Sequence, residues 1–221
     1  MNIFVVGHNK GFEELKEKFS QNETVSLTHG SVKEAISSKS DCIIDLDLDE
    51  NPQNLSNYAS LKGTLVLGGA VKKQLAEIAT NCTESIDCLL VGLNTLPTFL
   101  NRRLWEISLF SEDDKAEIIE KLGTIGVEVK SVKDRVGMVT PRIILMIINE
   151  AFYTVQEGTA SKADINQAMK LGTNYPHGPF EWAEKIGIDH VYKTLKALQH
   201  DTGDTRYKIC PLLKTEYLKI F

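Results

Sequence analysis

An α/β domain built on a doubly wound parallel sheet, followed by an all-α domain, is the fold class the sequence predicts. Three observations lead there. Short apolar runs alternate with helical patterns as far as Val132, which is how a parallel sheet with crossover helices is written in sequence. From Pro141 onward no stretch reads as a strand, and helical periodicity takes over. The change of pattern falls near Lys133, so we expect one domain over 1–132 and a second over 133–221.

Taken in order, Asn2 to Val6 reads as a buried strand ending at Gly7. A helix is expected over 11–20, with Phe12, Leu15 and Phe19 on one face. Thr24 to Leu27 is a short strand, Ser31 to Ser37 a short helix, and Asp41 to Leu46 a third strand. Further strands are expected at 64–69, 87–92 and 104–110, with a helix over 72–80. Ser111 opens a helix that runs to about Leu122, and Gly126 to Val132 alternates as a half-buried strand. Strand–helix–strand units of this kind close as right-handed crossovers with helices on both faces of the sheet.

In the second part, Pro141 lies in the first turn of a long helix, where its missing N–H costs nothing. That helix runs to about Gln156 and stops at Gly158. Ile143 to Ile148 is apolar all round, which predicts burial on more than one side; a second subunit could cover part of it. The stretch Ser161 to Ile188 is the most sharply patterned in the chain. It opens with a capping box, Ser161 accepting from the amide of Asp164 and Asp164 reaching back to the amide of Ser161. Gly172 suits the position just past the helix end. Tyr175-Pro-His-Gly-Pro-Phe-Glu then makes a rigid turn, with Pro179 placed to start the next helix.

Composition narrows the function classes. Apolar residues make up 42% and charged residues 25% of the chain, an ordinary globular balance. The net charge of −5 argues against nucleic acid as a partner, since duplex binding leans on a basic surface. The four cysteines, Cys42, Cys82, Cys88 and Cys210, form no C-x-x-C pair and have no histidine cluster beside them. No metal site is therefore expected. The amino terminus has no signal-peptide pattern, and the longest apolar run is too short for a membrane span. The expected setting is reducing and cytoplasmic, with no membrane association.

The helical part resembles the C-terminal domain of the 3-hydroxyacyl-CoA dehydrogenase family. The residues that carry the resemblance are Asp134-Arg-Val-Gly-Met-Val, Arg142, Asn149-Glu-Ala and Glu157-Gly-Thr-Ala-Ser-Lys-Ala-Asp-Ile-Asn. They continue with Ala168-Met-Lys-Leu-Gly, Tyr175-Pro-His-Gly-Pro-Phe-Glu, Lys185-Ile-Gly-Ile-Asp, Asp204-Thr-Arg-Tyr and Pro211-Leu-Leu. The resemblance implies a Rossmann-like, NAD-binding domain ahead of them. It also implies oxidation of the 3-hydroxyl of an L-3-hydroxyacyl-CoA with hydride passed to NAD, and a homodimer formed through the helical domain.

The resemblance implies particular site residues, and the sequence departs from several. The family's Gly-x-Gly-x-x-Gly turn reads Gly7-His8-Asn9-Lys10-Gly11-Phe12. Gly7 is in register, Asn9 and Phe12 stand for the second and third glycines, and Gly11 comes one place early. Gly7, Asn9, Lys10 and Gly11 are the candidate cofactor residues. No acidic residue closes Ser26-Leu27-Thr28-His29 to hold an adenosine ribose. The family's catalytic histidine falls on Asn94, and its partner glutamate, twelve residues on, on Glu106; these two are the candidate catalytic residues. An amide cannot act as a base near neutral pH. The family's serine falls in Gly68-Gly69-Ala70 and its asparagine on Pro141. His8 and His29 lie at strand ends, on the edge where open α/β sheets bind ligands. Two readings stand together: a dehydrogenase with an altered site, and a non-catalytic relative that binds an acyl-CoA, a nucleotide or a protein partner.

Overall fold

A computed structural model describes residues 1–220 of the chain. The chain divides into two compact units, one ending at Met138 and the other beginning at Val139.

The first unit holds strands β1 (Asn2–Val6), β2 (Ser26–Gly30), β3 (Cys42–Asp45), β4 (Leu65–Gly69), β5 (Leu89–Leu93), β6 (Leu104–Leu109) and β7 (Glu128–Val132). Its helices are α1 (Asn9–Lys18), α2 (Val32–Ser37), α3 (Leu55–Tyr58), α4 (Leu75–Ala79) and α5 (Lys115–Thr124). The strands form one seven-stranded sheet in the order β2-β1-β3-β4-β5-β6-β7. Side chains alternate between its faces, as the pleat demands. Ile3, Val5, Cys42, Ile44, Leu65, Leu67 and Val91 pack with Leu15, Trp105, Ile118 and Leu122 on one side. Phe4, Val6, Ile43, Val66 and Leu90 pack with Ala35, Tyr58, Leu75 and Ile78 on the other. Helices α1 and α5 thus cover one face and α2, α3 and α4 the other, the doubly wound arrangement.

Several expectations need correction. The sheet is not wholly parallel, because β5 and β6 pair antiparallel, Leu93 opposite Ile107. Only residues 94–103 connect them, and that is too short for a crossover helix back to the starting edge. The second strand is Ser26–Gly30 rather than 24–27, so His29 lies inside it, paired with Val5. The first helix begins at Asn9, with His8 as its cap. The helix expected over 72–80 is only Leu75–Ala79, since Lys72 is drawn back to the acidic loop after β3, where its Nζ lies 2.9 Å from Glu50 Oε1. The segment after Val132 is tied to this first unit. The Asp134 carboxylate accepts from the amides of Leu75 and Ala76 at 2.8 and 3.0 Å, and Gly137 N donates to Val71 O at 2.7 Å.

The second unit is helical throughout: α6 (Thr140–Gln156), α7 (Lys162–Thr173), α8 (Pro179–Ile186), α9 (Ile188–Thr202) and α10 (Pro211–Leu218). Asn149 is buried in α6 and ties it to the segment before α10. Its Nδ2 donates to Lys208 O at 2.9 Å and its Oδ1 accepts from Cys210 N at 2.9 Å. The expected capping box is half formed. Ser161 Oγ accepts from Asp164 N, but the Asp164 carboxylate takes the Ser161 hydroxyl at 2.6 Å instead of the backbone amide. Gly172 is not the helix terminator: α7 runs one residue further, and Asn174 takes the left-handed conformation at φ +57°, which asparagine tolerates because its short side chain hydrogen-bonds locally. The turn that follows is pinned. Gly178 N donates to Glu181 Oε2 at 3.0 Å, Phe180 N donates to Asn166 Oδ1 at 2.9 Å, and a Cβ on Gly178 would meet the Asn166 backbone at 2.5 Å. Ile143–Ile148 is not buried all round within one chain. Leu145 and Ile148 are buried, while Ile143 is 56% exposed.

All four cysteines are free. Cys42 is buried in the middle of the sheet, and burial pushes its thiol far up. Burial also pushes the Cys88 thiol up to about 12. Cys210 is buried at the start of α10.

Candidate functional site at the carboxyl ends of the strands

The chain reverses its direction along the sheet between β1 and β3. Open α/β sheets present their ligand crevice at such a point, beyond the carboxyl ends of the strands. Gly7, Asn9, Lys10 and Gly11 all lie there, at the end of β1 and in the first turn of α1. Asn9 and Lys10 are exposed, while Gly11 is buried.

The turn is filled by its own side chains. Gly7 has φ +113°, and a Cβ there would lie 2.7 Å from Asp47 Oδ2, so the loop after β3 presses directly on it. The Asp47 carboxylate accepts the amide of His8 at 3.1 Å. His8 caps α1 through Nδ1, which accepts from Gly11 N at 3.0 Å. The proton of a neutral His8 ring therefore sits on Nε2, which faces Asp47 Oδ1 at 3.8 Å. His29 Nε2 donates to Gly7 O at 2.9 Å, and its ring stacks on Phe12 with centroids 4.5 Å apart. Gly11 is a packing glycine: a Cβ on it would lie 2.8 Å from both His8 Cε1 and Leu46 Cδ1.

Asp47 is one of three acidic residues that reading the sequence missed. Asp45, Asp47 and Asp49 alternate with the buried Leu46 and Leu48, and this alternation at the end of an apolar strand was the available signal. Asp45, 1% exposed, accepts from Asn54 Nδ2, Tyr58 OH and Asp47 N at 2.9, 3.0 and 3.2 Å. Asp49 accepts from the amides of Val71 and Lys72 at 3.0 and 2.8 Å. Burial pushes the Asp45 carboxyl up, against the pull of the Asn54 and Tyr58 hydrogen bonds. Burial pushes Asp47 up as well, with His8 and Lys72 opposing the shift and Glu50 adding to it.

Asn94 and Glu106 lie further along the same edge. The β5–β6 register sets Leu93 opposite Ile107, so one more step sets position 94 opposite position 106. That is the physical meaning of their twelve-residue spacing. Asn94 is buried, and its Oδ1 accepts from Leu96 N at 3.3 Å in a local turn. Glu106 is half-buried beside a cation. The Arg102 guanidinium sits in the field of Glu106 and Glu14, donates to Thr98 O at 3.2 Å and lies 4.1 Å over the Phe99 ring. Burial pulls the Arg102 pKa down, and the two carboxylates resist that pull. Glu106 thus lies near an arginine, and neither that cation nor the Asn94 amide takes a proton at neutral pH.

Within Gly68-Gly69-Ala70, where the family's serine falls, Gly69 is closed by backbone. Thr95 Oγ1 donates to Leu46 O at 2.8 Å, and a Cβ on Gly69 would lie 2.6 Å from that carbonyl and 2.7 Å from that hydroxyl. Pro141 is buried in the first turn of α6, in the second unit. Among the described residues, no group of three or more His, Cys, Asp and Glu could hold a metal ion, and no helix is long and apolar enough to cross a membrane.

Comparison with known proteins places these observations. Residues 137–219 match the family model described as "3-hydroxyacyl-CoA dehydrogenase, C-terminal domain". The chain is 43% identical over 93 residues to the 3-hydroxyadipyl-CoA dehydrogenase of Escherichia coli, a match covering 42% of this chain and 20% of that protein. It is 42% identical over 106 residues to a probable 3-hydroxybutyryl-CoA dehydrogenase of Bacillus subtilis, covering 48% of this chain and 36% of that one. These matches thus span well under half the length of either relative. Among solved structures, the (S)-3-hydroxybutyryl-CoA dehydrogenase of Ralstonia eutropha superposes with a TM-score of 0.72 over 100% of this chain and 94% of that chain. Identity there is 18%, so it bears on the fold alone.

Proposed function

From a chain whose helical unit belongs to the 3-hydroxyacyl-CoA dehydrogenase family, we propose a protein that keeps the family's scaffold and has lost its reaction. One observation carries this reading. Asn94 stands one residue past the Leu93–Ile107 pair, where the family resemblance requires a proton acceptor, and its carbonyl oxygen is already engaged by Leu96 N. A positioned general base contributes roughly 10²–10⁴-fold to such a step, and here that contribution has no source. The closed position at Gly69 and the proline at 141 support the same reading, because neither offers the polar group that the family resemblance implies. The residues of the first strand–helix turn do not fit NAD either. Asp47 presses on Gly7, the one glycine in register, and Phe12 stacks on His29 in the place of the third.

The test is direct. Purified protein mixed with NADH and acetoacetyl-CoA is expected to leave the NADH absorbance unchanged over hours. Oxidation of NADH at an ordinary enzymatic rate would restore the dehydrogenase reading, for which the retained Glu106 is the supporting residue.

What remains for the scaffold is binding, and the helical unit supports a homodimer. Its helix α7 buries none of its residues, although Ile165, Ala168, Met169 and Leu171 recur at helical spacing. Leu171 is 77% and Ile143 56% exposed. Apolar side chains left open on neighbouring helices lose that exposure by pairing with a second copy. Light scattering is expected to give twice the chain mass at micromolar concentration, and a monomer throughout would refute the dimer.

A further inference from the structure

The first strand–helix turn holds more than missing glycines. In a phosphate-binding turn of this type, free amides at the start of the helix meet the anion, and the helix dipole favours its charge. Here two of the turn's amides already have internal partners. The His8 amide is taken by the Asp47 carboxylate at 3.1 Å, and the Gly11 amide by His8 Nδ1 at 3.0 Å. The carboxylate is wedged against the backbone, since a Cβ on Gly7 would meet Asp47 Oδ2 at 2.7 Å and Leu46 Cβ at 2.9 Å. On the side toward β2, the stacked rings of Phe12 and His29 extend the closure, and His29 is locked by its bond to Gly7 O.

We propose that Asp47 is the specificity-determining residue that closes this turn to a dinucleotide, its carboxylate standing where a bound pyrophosphate would stand. The proposal rests on the reading that the dehydrogenase reaction has been lost, and it supplies a cause at the level of binding. A second anion arriving at the His8 amide meets a like charge already in place, and the loop carrying that charge also contributes Glu50. Nothing in the mechanism depends on the missing glycines alone. A turn with imperfect glycines still has its first amide to offer; a turn whose first amide is held by an attached carboxylate does not.

Inorganic pyrophosphate is the probe, because it tests the anion position without nicotinamide or adenosine contacts. Wild type, Asp47→Asn and Asp47→Ala are titrated by calorimetry, and the amide resonances of His8 and Gly11 are followed by NMR. Wild type is expected to show no saturable binding up to millimolar pyrophosphate. Asp47→Ala is expected to bind at least tenfold more tightly, with the His8 resonance moving. Asp47→Asn is expected to fall between, because its amide oxygen still accepts from His8 N while the charge is gone. If Asp47→Ala does not fold, Asp47→Asn carries the comparison. Wild type that binds pyrophosphate as tightly as the variants overturns the proposal, as do folded variants that gain nothing. The two readings fail separately: NADH bound by wild type without turnover overturns this proposal alone, whereas turnover overturns the loss of reaction.

Discussion

Gly69→Ser is expected to destabilise the first unit by about 1–3 kcal/mol, the range for an overpacked core, and to leave the protein without dehydrogenase activity even when combined with Asn94→His. The simplest repair of the site would return the two side chains that its resemblance to the family implies. The imidazole is the easier of the two. Position 94 lies at the end of β5, where the chain leaves the sheet. The hydroxyl is another matter. At Gly69 the nearest atoms to a new Cβ are the Leu46 carbonyl at 2.6 Å and the Thr95 hydroxyl at 2.7 Å. Because the carbonyl belongs to backbone, it cannot swing away as the end of a flexible side chain could. β4 must then part from the chain leaving β3, breaking the Thr95–Leu46 hydrogen bond that fastens the same spot. Urea denaturation of the single variant measures the cost, and NADH oxidation by the double variant measures the chemistry. A Gly69→Ser protein as stable as wild type would show that this edge yields and that the site was lost one residue at a time.

Asp45→Ala is expected to cost about 2–3 kcal/mol, although it removes a buried charge. The carboxylate gathers three donors: the Asn54 amide, the Tyr58 hydroxyl and the Asp47 N–H. Truncation leaves the buried Tyr58 hydroxyl without its acceptor, and an orphaned buried group costs on the order of 1–3 kcal/mol; the part-buried donors of Asn54 and Asp47 add less. Relief from burying the charge offsets part of that sum. Asp45→Asn should cost less, since its carbonyl oxygen retains two of the donors. The sign of the pH dependence follows from the raised carboxyls. Burial lifts Asp45 and Asp47 above their ordinary range, so the folded state holds these protons after the unfolded chain has released them. Between the unfolded carboxylate value of about 4 and the higher folded values, the native state binds more protons, and their contribution to stability falls as pH rises. Above the folded values it is flat. Urea midpoints of wild type across that window should therefore decline more steeply with pH than those of Asp45→Asn. Equal slopes, or an Asp45→Ala protein within about half a kcal/mol of wild type, would sink this account.

Periodicity carried most of the architecture. The runs at Asn2–Val6, Cys42–Asp45 and Leu65–Gly69 are apolar on both faces because helices cover both faces of the sheet, and such runs need no context to be read. The turn after α7 was legible for a different reason: two prolines and a glycine leave the backbone little choice. What escaped was long-range. The contact between Asp47 and His8 joins residues 39 apart, and no local pattern says that an aspartate two residues past a strand will reach the neighbouring turn. The antiparallel return of β6 escaped because strand direction is decided by connection length and pairing, and the apolar run looks the same either way. In the site, absence was easier to read than replacement. Asn94 for a base is visible in the letters, whereas the filling of the turn by Asp47, His29 and Phe12 exists only in three dimensions.

The buried thiols make the molecule its own clock. Cys42 sits in the sheet of the first unit, Cys88 is buried just before β5, and Cys210 lies in the helical unit, each sheltered from a reagent that attacks only an exposed thiolate. Burial of a reactive group converts the frequency of local opening into a rate of covalent labelling. The partition of label between Cys42 and Cys210 therefore records, without any engineered probe, which half of the chain breathes first.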